Sequence, residues 1–243
     1  MKDKTIEELL NELQNVVDTL KSSLPKEAPL FFSSHIDPVR ALHLRESCIH
    51  RITELAESAC DEFKKGNLVA GYVLARAVME SFALFWYFID KLRDALKDGD
   101  VKELREILTR MLLGVKPVEK QEKLKKVFEE VGEESPKQLS PIHVAKLLEY
   151  IKKKLPPYGE LYDYLSEVTH PNAMGLKKAY IRYDWDKKMA YFGKEQGQFG
   201  SHLATDLEAL TIWLEGYIGL YNESAELFKR FQELCVGLAV SKK

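Results

Sequence analysis

Apolar residues recur at helical spacing through most of this chain, and in one stretch they occupy almost every position. Thr5 followed by Glu8 is a capping-box pattern, and Ile6, Leu9, Leu13, Val16, Val17 and Leu20 then form one stripe, which predicts an amphipathic first helix. Two prolines end it, and Phe31 and Phe32 are expected to tuck the following loop, with an exposed His35, against the body. Asp37-Pro38 supplies an N-cap and an N1 proline for a second helix that closes at Lys64-Lys65-Gly66. Asn67 caps the third, which runs to about Leu96.

From Leu68 to Ile89 that third helix carries only two charges, Arg76 and Glu80, so it predicts a central rod around which the rest of the chain packs. Its length would span a membrane, but the two mid-helix charges and the charged flanks predict a core helix and no membrane partner. Arg76 and Glu80 stand one turn apart on one face and can pair. Either they form a structural ion pair or they open onto a wet cleft, because an unpaired charge does not leave water cheaply.

Residues 97–157 change character. Lys and Glu dominate, the helices expected over Val101–Leu113 and Pro117–Val131 are short, and the segment is expected to be a solvated, charged helical insertion in a single domain spanning 1–243. Ser140-Pro141 restarts a helix by the same cap logic, and Leu155-Pro156-Pro157 closes it. A helix after Pro157 aligns Tyr162, Ser166 and His170 along one polar line, with Pro171 holding His170 at the helix end. Asn172 and Gly175 then suit a turn. Ala179 to Phe192 sets aromatic and branched residues around a polar turn, the pattern of a small β-hairpin. A long helix from Gln198 to about Leu234 ends the pattern. The fold class expected is therefore all-α, a multi-helix bundle around a buried central helix with one hairpin appended.

Composition narrows the chemistry. With 243 residues, 45% hydrophobic and 30% charged, the chain has an ordinary globular make-up, and its net charge of −2 shows no overall basic excess for nucleic acid. Cys48, Cys60 and Cys235 are widely spaced among apolar residues, which suits buried thiols in a reducing compartment. No spacing suggests a metal site, and no cofactor is expected. The charged start of the sequence lacks an apolar signal core, so the cytoplasm is the expected location.

The order Gly71-x4-Arg76-x3-Glu80, then Tyr162-x2-Leu165-Ser166-x3-His170-Pro171, resembles a prokaryotic family of helical proteins placed near the HEPN (higher eukaryotes and prokaryotes nucleotide-binding) domains. That resemblance covers about Gly66 to Phe231. It implies a helical bundle, often dimeric, with links to nucleotide or RNA biology, toxin–antitoxin modules or antiviral defence. HEPN ribonucleases pair Arg and His four to six residues apart to drive attack of a ribose 2′-hydroxyl without metal. Here the stretch from Leu161 to Thr169 holds no arginine, so Arg76 would have to reach His170 from another helix. Arg45 and His50 fit the spacing literally but lie outside the resembling segment, in a chain where chance supplies such a match.

Three readings follow. In the first, a non-catalytic binding or regulatory module holds a phosphate-bearing or other small polar ligand between Arg76, Glu80, Tyr162, Ser166, His170 and Asn172. The second is a metal-independent endoribonuclease with His170 as acid/base and Arg76 stabilising the phosphorane. In the third, an interaction protein uses the cluster only to fix helix register. RNA, a nucleotide or a partner protein is the expected partner, and the aromatic run Phe82, Phe85, Trp86 and Phe88 suggests a homodimer.

Overall fold

The first helix, α1 (Ile6–Ser22), shows how directly the local code is obeyed. The Glu8 backbone amide donates to Thr5 Oγ1 at 3.2 Å while the Thr5 amide donates to Glu8 Oε2 at 2.7 Å, closing the capping box. Leu9, Leu13, Val16, Val17 and Leu20 are buried, and Ile6 at the head of the stripe stays exposed. The structure, a computed structural model, describes residues 4–28, 36–132, 135–197 and 199–240, so the expectations for Phe31, Phe32 and His35 lie outside the described residues.

Seven further α-helices follow among the described residues: α2 (Ile36–Lys64), α3 (Leu68–Asp98), α4 (Lys102–Leu112), α5 (Val118–Glu130), α6 (Val144–Lys154), α7 (Pro156–Thr169) and α8 (Leu203–Val240). Between α7 and α8 lie a single π turn (Ala173–Lys178) and an antiparallel hairpin of β1 (Ile181–Asp184) and β2 (Met189–Phe192). The fold is an all-α bundle with one small hairpin. Helix α3 is long and apolar enough to cross a membrane by length and composition, yet half of its most apolar window is buried inside the structure.

The chain divides into two compact units, one of residues 1–24, 49–82 and 151–219, the other of 25–48, 83–150 and 220–243. In the first, Tyr158 of α7 stacks on Phe82 of α3 with ring centroids 5.6 Å apart, and Trp213 of α8 meets the Tyr158 ring edge-on at 5.1 Å. The Tyr158 hydroxyl donates to the Met79 carbonyl, so the buried phenol keeps a partner. Helix α1 is held to α2 by Lys64 donating to Gln14 and Lys21 to Glu57, both at 2.5 Å, with Cys60 buried beneath. Gly71 is a close-approach position: a Cβ there would meet the Phe63 ring at 2.6 Å, so this glycine lets α3 lie against the end of α2.

In the second unit Phe85 and Phe88 of α3 are fully buried, with Phe88 edge-on to Phe228 of α8 at 5.9 Å. With Phe82 buried in the first unit, three rings of the aromatic run are covered by the chain itself, and Trp86 is half-buried. Residues from the charged segment enter the core of this unit: Leu104, Ile107, Leu108, Phe128 and Leu147 are buried. Tyr150 of α6 donates to Asp90 and lies edge-on to Tyr87 at 4.9 Å.

Several expected caps are replaced by tertiary bonds. Asp37 lies inside the first turn of α2 with its carboxylate buried, and Arg105 of α4 donates to it at 2.7 and 2.8 Å. Asn67 gives its side-chain oxygen to Lys194 at 3.0 Å and not to its own helix. Ser140-Pro141 starts no helix, because Arg110 takes the Ser140 carbonyl at 2.9 Å and holds the segment extended; α6 begins at Val144, after His143 Nδ1 accepts from the Ala145 amide at 3.3 Å.

Removing the partner of a buried carboxylate exposes its full desolvation cost. Arg105→Met should therefore lower stability by roughly 2–3 kcal/mol in urea denaturation. The double variant Asp37→Asn/Arg105→Met should regain most of that loss, and one no more stable than the single would place the effect in packing.

Candidate functional site

Arg76 and Glu80 are brought together with Tyr162 and Thr169 inside the first unit. Helical spacing puts Glu80 one turn above Arg76, and Arg76 Nε donates to Glu80 Oε1 at 3.1 Å and to the Tyr162 hydroxyl at 3.3 Å. That hydroxyl in turn donates to Glu80 Oε1 at 3.0 Å, which closes a three-membered ring of hydrogen bonds between α3 and α7. Arg76 Nη1 donates to Thr169 Oγ1 at 3.1 Å, and Thr169 passes its proton to the Ser166 carbonyl at 3.1 Å. Burial works against the guanidinium charge, but Tyr162 and Glu80 outweigh it and hold the Arg76 pKa above its ordinary value. Lys152 adds a second cation, 5.4 Å from the Tyr162 ring centroid, while paired with Asp163.

The cluster is anchored without being closed. The Arg76 and Glu80 side chains are 28% and 30% exposed, and Arg76 Nη2 and Glu80 Oε2 have no hydrogen-bond partner among the described residues. Nη2 of the guanidinium and one oxygen of the carboxylate are therefore left unused by the fold, on side chains that water still reaches.

The other expected site residues divide. His170 caps α7 with the extended backbone that Pro171 demands, one residue beyond the Thr169 that binds Arg76. Its ring is exposed, and it makes no hydrogen bond to Arg76. Ser166 contributes its carbonyl, which accepts from Thr169 Oγ1 and the His170 amide. Asn172 is engaged in structure: its oxygen accepts from the Met174 and Gly175 amides at 2.8 and 3.0 Å, capping the π turn, and its nitrogen donates to Glu167 at 2.9 Å. Gly175 is obligatory there, since a Cβ would collide with the His170 carbonyl oxygen.

A second polar cluster in the same unit was not expected. Tyr72 of α3 donates to Asp206 of α8 at 2.7 Å, the Tyr164 ring stands edge-on to Tyr72 at 6.2 Å, and the exposed His202 lies edge-on to Tyr164 at 6.0 Å. Burial raises the Asp206 pKa above its ordinary 3.8, against the opposing pull of the Tyr72 hydrogen bond and His202. Burial likewise raises both tyrosines. Tyr72 and Asp206 are 134 positions apart, and their sequence signal is a lone acidic residue on an apolar helix face.

In the second unit Arg45 is saturated. Its Nε donates to Ser224 at 2.7 Å, Nη1 to Tyr221 and Glu46, and Nη2 to the Tyr221 carbonyl at 3.1 Å, with the guanidinium 3.7 Å from the Tyr221 ring centroid. Every one of its nitrogens is tied into the fold, so the Arg45 and His50 spacing carries no site.

A carboxyl group whose pKa is raised by folding contributes stability below its unfolded value and loses it as pH rises through its folded value. Acidification from about pH 7 towards about pH 4 should therefore favour the native protein over Asp206→Asn, which lacks this titration. Melting temperatures of the two proteins across that range should diverge in this direction; parallel curves would mean that the carboxyl is not desolvated.

Residues 47–189 match the model of a family of unknown function (DUF5677). No curated protein and no solved structure matches the chain. The matched segment contains Arg76, Glu80, Tyr162, Thr169 and His170 and stops before Asp206. Because it spans more than half of the sequence, the chain belongs to this family of unknown function, DUF5677.

Proposed function

We propose that this protein is a HEPN-like binding or regulatory module, not a catalyst, and that the Arg76 cluster holds a phosphate-bearing or other small polar ligand. The observation that supports this reading is the unused Nη2 of a guanidinium fixed on its other nitrogens by Glu80, Tyr162 and Thr169. A guanidinium held in this way loses little freedom when it takes up an oxyanion. Glu80 Oε2 beside it would repel a bare phosphate but would accept from the edge of a base, so a nucleotide suits both groups better than inorganic phosphate. A cytoplasmic role in defence or toxin–antitoxin biology, with RNA, a nucleotide or a protein as partner, accords with the resemblance.

A second reading, a metal-independent endoribonuclease, draws on His170. Its exposed ring follows the residue that Arg76 binds, so an RNA phosphate reaching Arg76 would come close to an imidazole able to move a proton. Against it stands the missing bond between the two: Arg76 turns to Thr169.

Thermal denaturation with a panel of nucleotides separates the possibilities. At a ligand concentration about 100-fold above Kd the native state should gain about 2.7 kcal/mol, and Arg76→Met should abolish the shift. Equal shifts in both proteins would remove Arg76 from any site. Cleavage of single-stranded RNA in EDTA, lost in His170→Ala with the fold retained, would select the nuclease. If no ligand shifts the melt and Arg76→Met/Glu80→Leu is as stable as the native chain, the cluster is structural.

A further inference from the structure

The hairpin carries large aromatic side chains that the fold leaves uncovered. Trp185 is 82% exposed and Phe192 70%, with Tyr183 also exposed. The register pairs Ile181 with Phe192 and Tyr183 with Ala190, so Phe192, Tyr183 and Trp185 fall on one face of the ribbon. Tyr183 and Trp185 stack at 5.5 Å with their planes 21° apart, and Lys177 stands 5.1 Å from the Tyr183 centroid. Tyr183 and Phe192 stand on the strands, and Trp185, in the turn that follows β1, is held against them by its stack on Tyr183.

Charge selects the occupant. Residues 176–197 hold six cations (Lys177, Lys178, Arg182, Lys187, Lys188, Lys194) against three carboxylates (Asp184, Asp186, Glu195), a local net charge of +3 in a chain of −2. Asp184 is moreover engaged with Lys187, 3.7 Å away. Flat aromatic faces ringed by excess cations are complementary to unpaired bases on a phosphate backbone, since every base offers a π face and every phosphate a negative charge.

The geometry points to this hairpin face as a binding site for single-stranded nucleic acid, with bases stacking on Tyr183, Trp185 and Phe192 and phosphates facing Lys177 and the turn lysines. The site is separate from the Arg76 cluster and does not depend on it. Recognition is by stacking and charge, so it is tolerant of sequence, and duplexes, whose bases are already stacked, bind poorly.

Fluorescence anisotropy of fluorescein-labelled oligouridine and oligothymidine, each about 15 nucleotides, tests it at low salt. The native protein should bind either strand with affinity falling as salt rises, while an unlabelled duplex of equal length competes poorly. Tyr183→Ala/Trp185→Ala should weaken binding roughly 10-fold or more, while Lys125→Ala/Lys126→Ala, which removes two exposed cations of α5, should bind as the native protein does. Both rings are exposed, so circular dichroism should show the fold intact. Should the double variant unfold, Lys177→Glu/Lys187→Glu must still weaken binding and flatten its salt dependence. Unchanged binding by the aromatic or the charge variant, equal competition by duplex, absence of binding at about 100 μM protein, or binding only to anionic phosphatidylserine vesicles would overturn the assignment.

Discussion

A guanidinium inside an apolar helix has to be satisfied, and much of the first unit is arranged to satisfy one. Helix α3 carries Arg76 and Glu80 where every neighbouring turn is apolar, and α7 answers with Tyr162 and Thr169. Tyr162 can do so because the α7 helix presents positions 162, 165 and 169 to the same side: Leu165 fills the core while the two hydroxyls reach the charge. Two helices far apart in sequence are thus fixed in register by a few polar atoms, and the buried aromatics around Phe82 and Tyr158 supply the bulk of the contact.

Besides the Asp37 and Arg105 pair, three charged groups among the described residues are drawn partly out of water, and each differently. Arg45 has every guanidinium nitrogen engaged and a ring beneath it, so each corner of the group is tied into the fold. Asp206 accepts a hydrogen bond from the Tyr72 hydroxyl and stays costly, with its pKa pushed up by burial. Arg76 is held firmly through Nε and Nη1, and its Nη2 is left unused by the fold. Burial alone does not separate a structural charge from a functional one. The discriminating quantity is the hydrogen-bonding capacity left over once the fold has been satisfied.

The hairpin presents the converse case. A two-stranded ribbon has little core of its own, so its base is tied down where the Gly193 amide donates to the Tyr180 carbonyl at 3.0 Å. Beyond that tie its aromatic face stays in water, although the helices have apolar surfaces of their own to bury. Among the described residues the appended element is where large aromatic rings are most exposed, Trp185 and Phe192 above all.

Periodicity and punctuation determined the helices, because a 3.6-residue stripe and a cap are local properties written into adjacent positions. They also determined the hairpin, the buried central rod, and the pairing of Arg76 with Glu80, which one helical turn dictates. Partners across the fold were not legible in the same way. Arg105 for Asp37, Thr169 in place of His170 for Arg76, and Asp206 for Tyr72 are choices between chemically similar groups many residues apart. Only packing brings one of them within hydrogen-bonding distance and leaves its rivals outside it, because a hydrogen bond is short and directional and the sequence carries no record of distance.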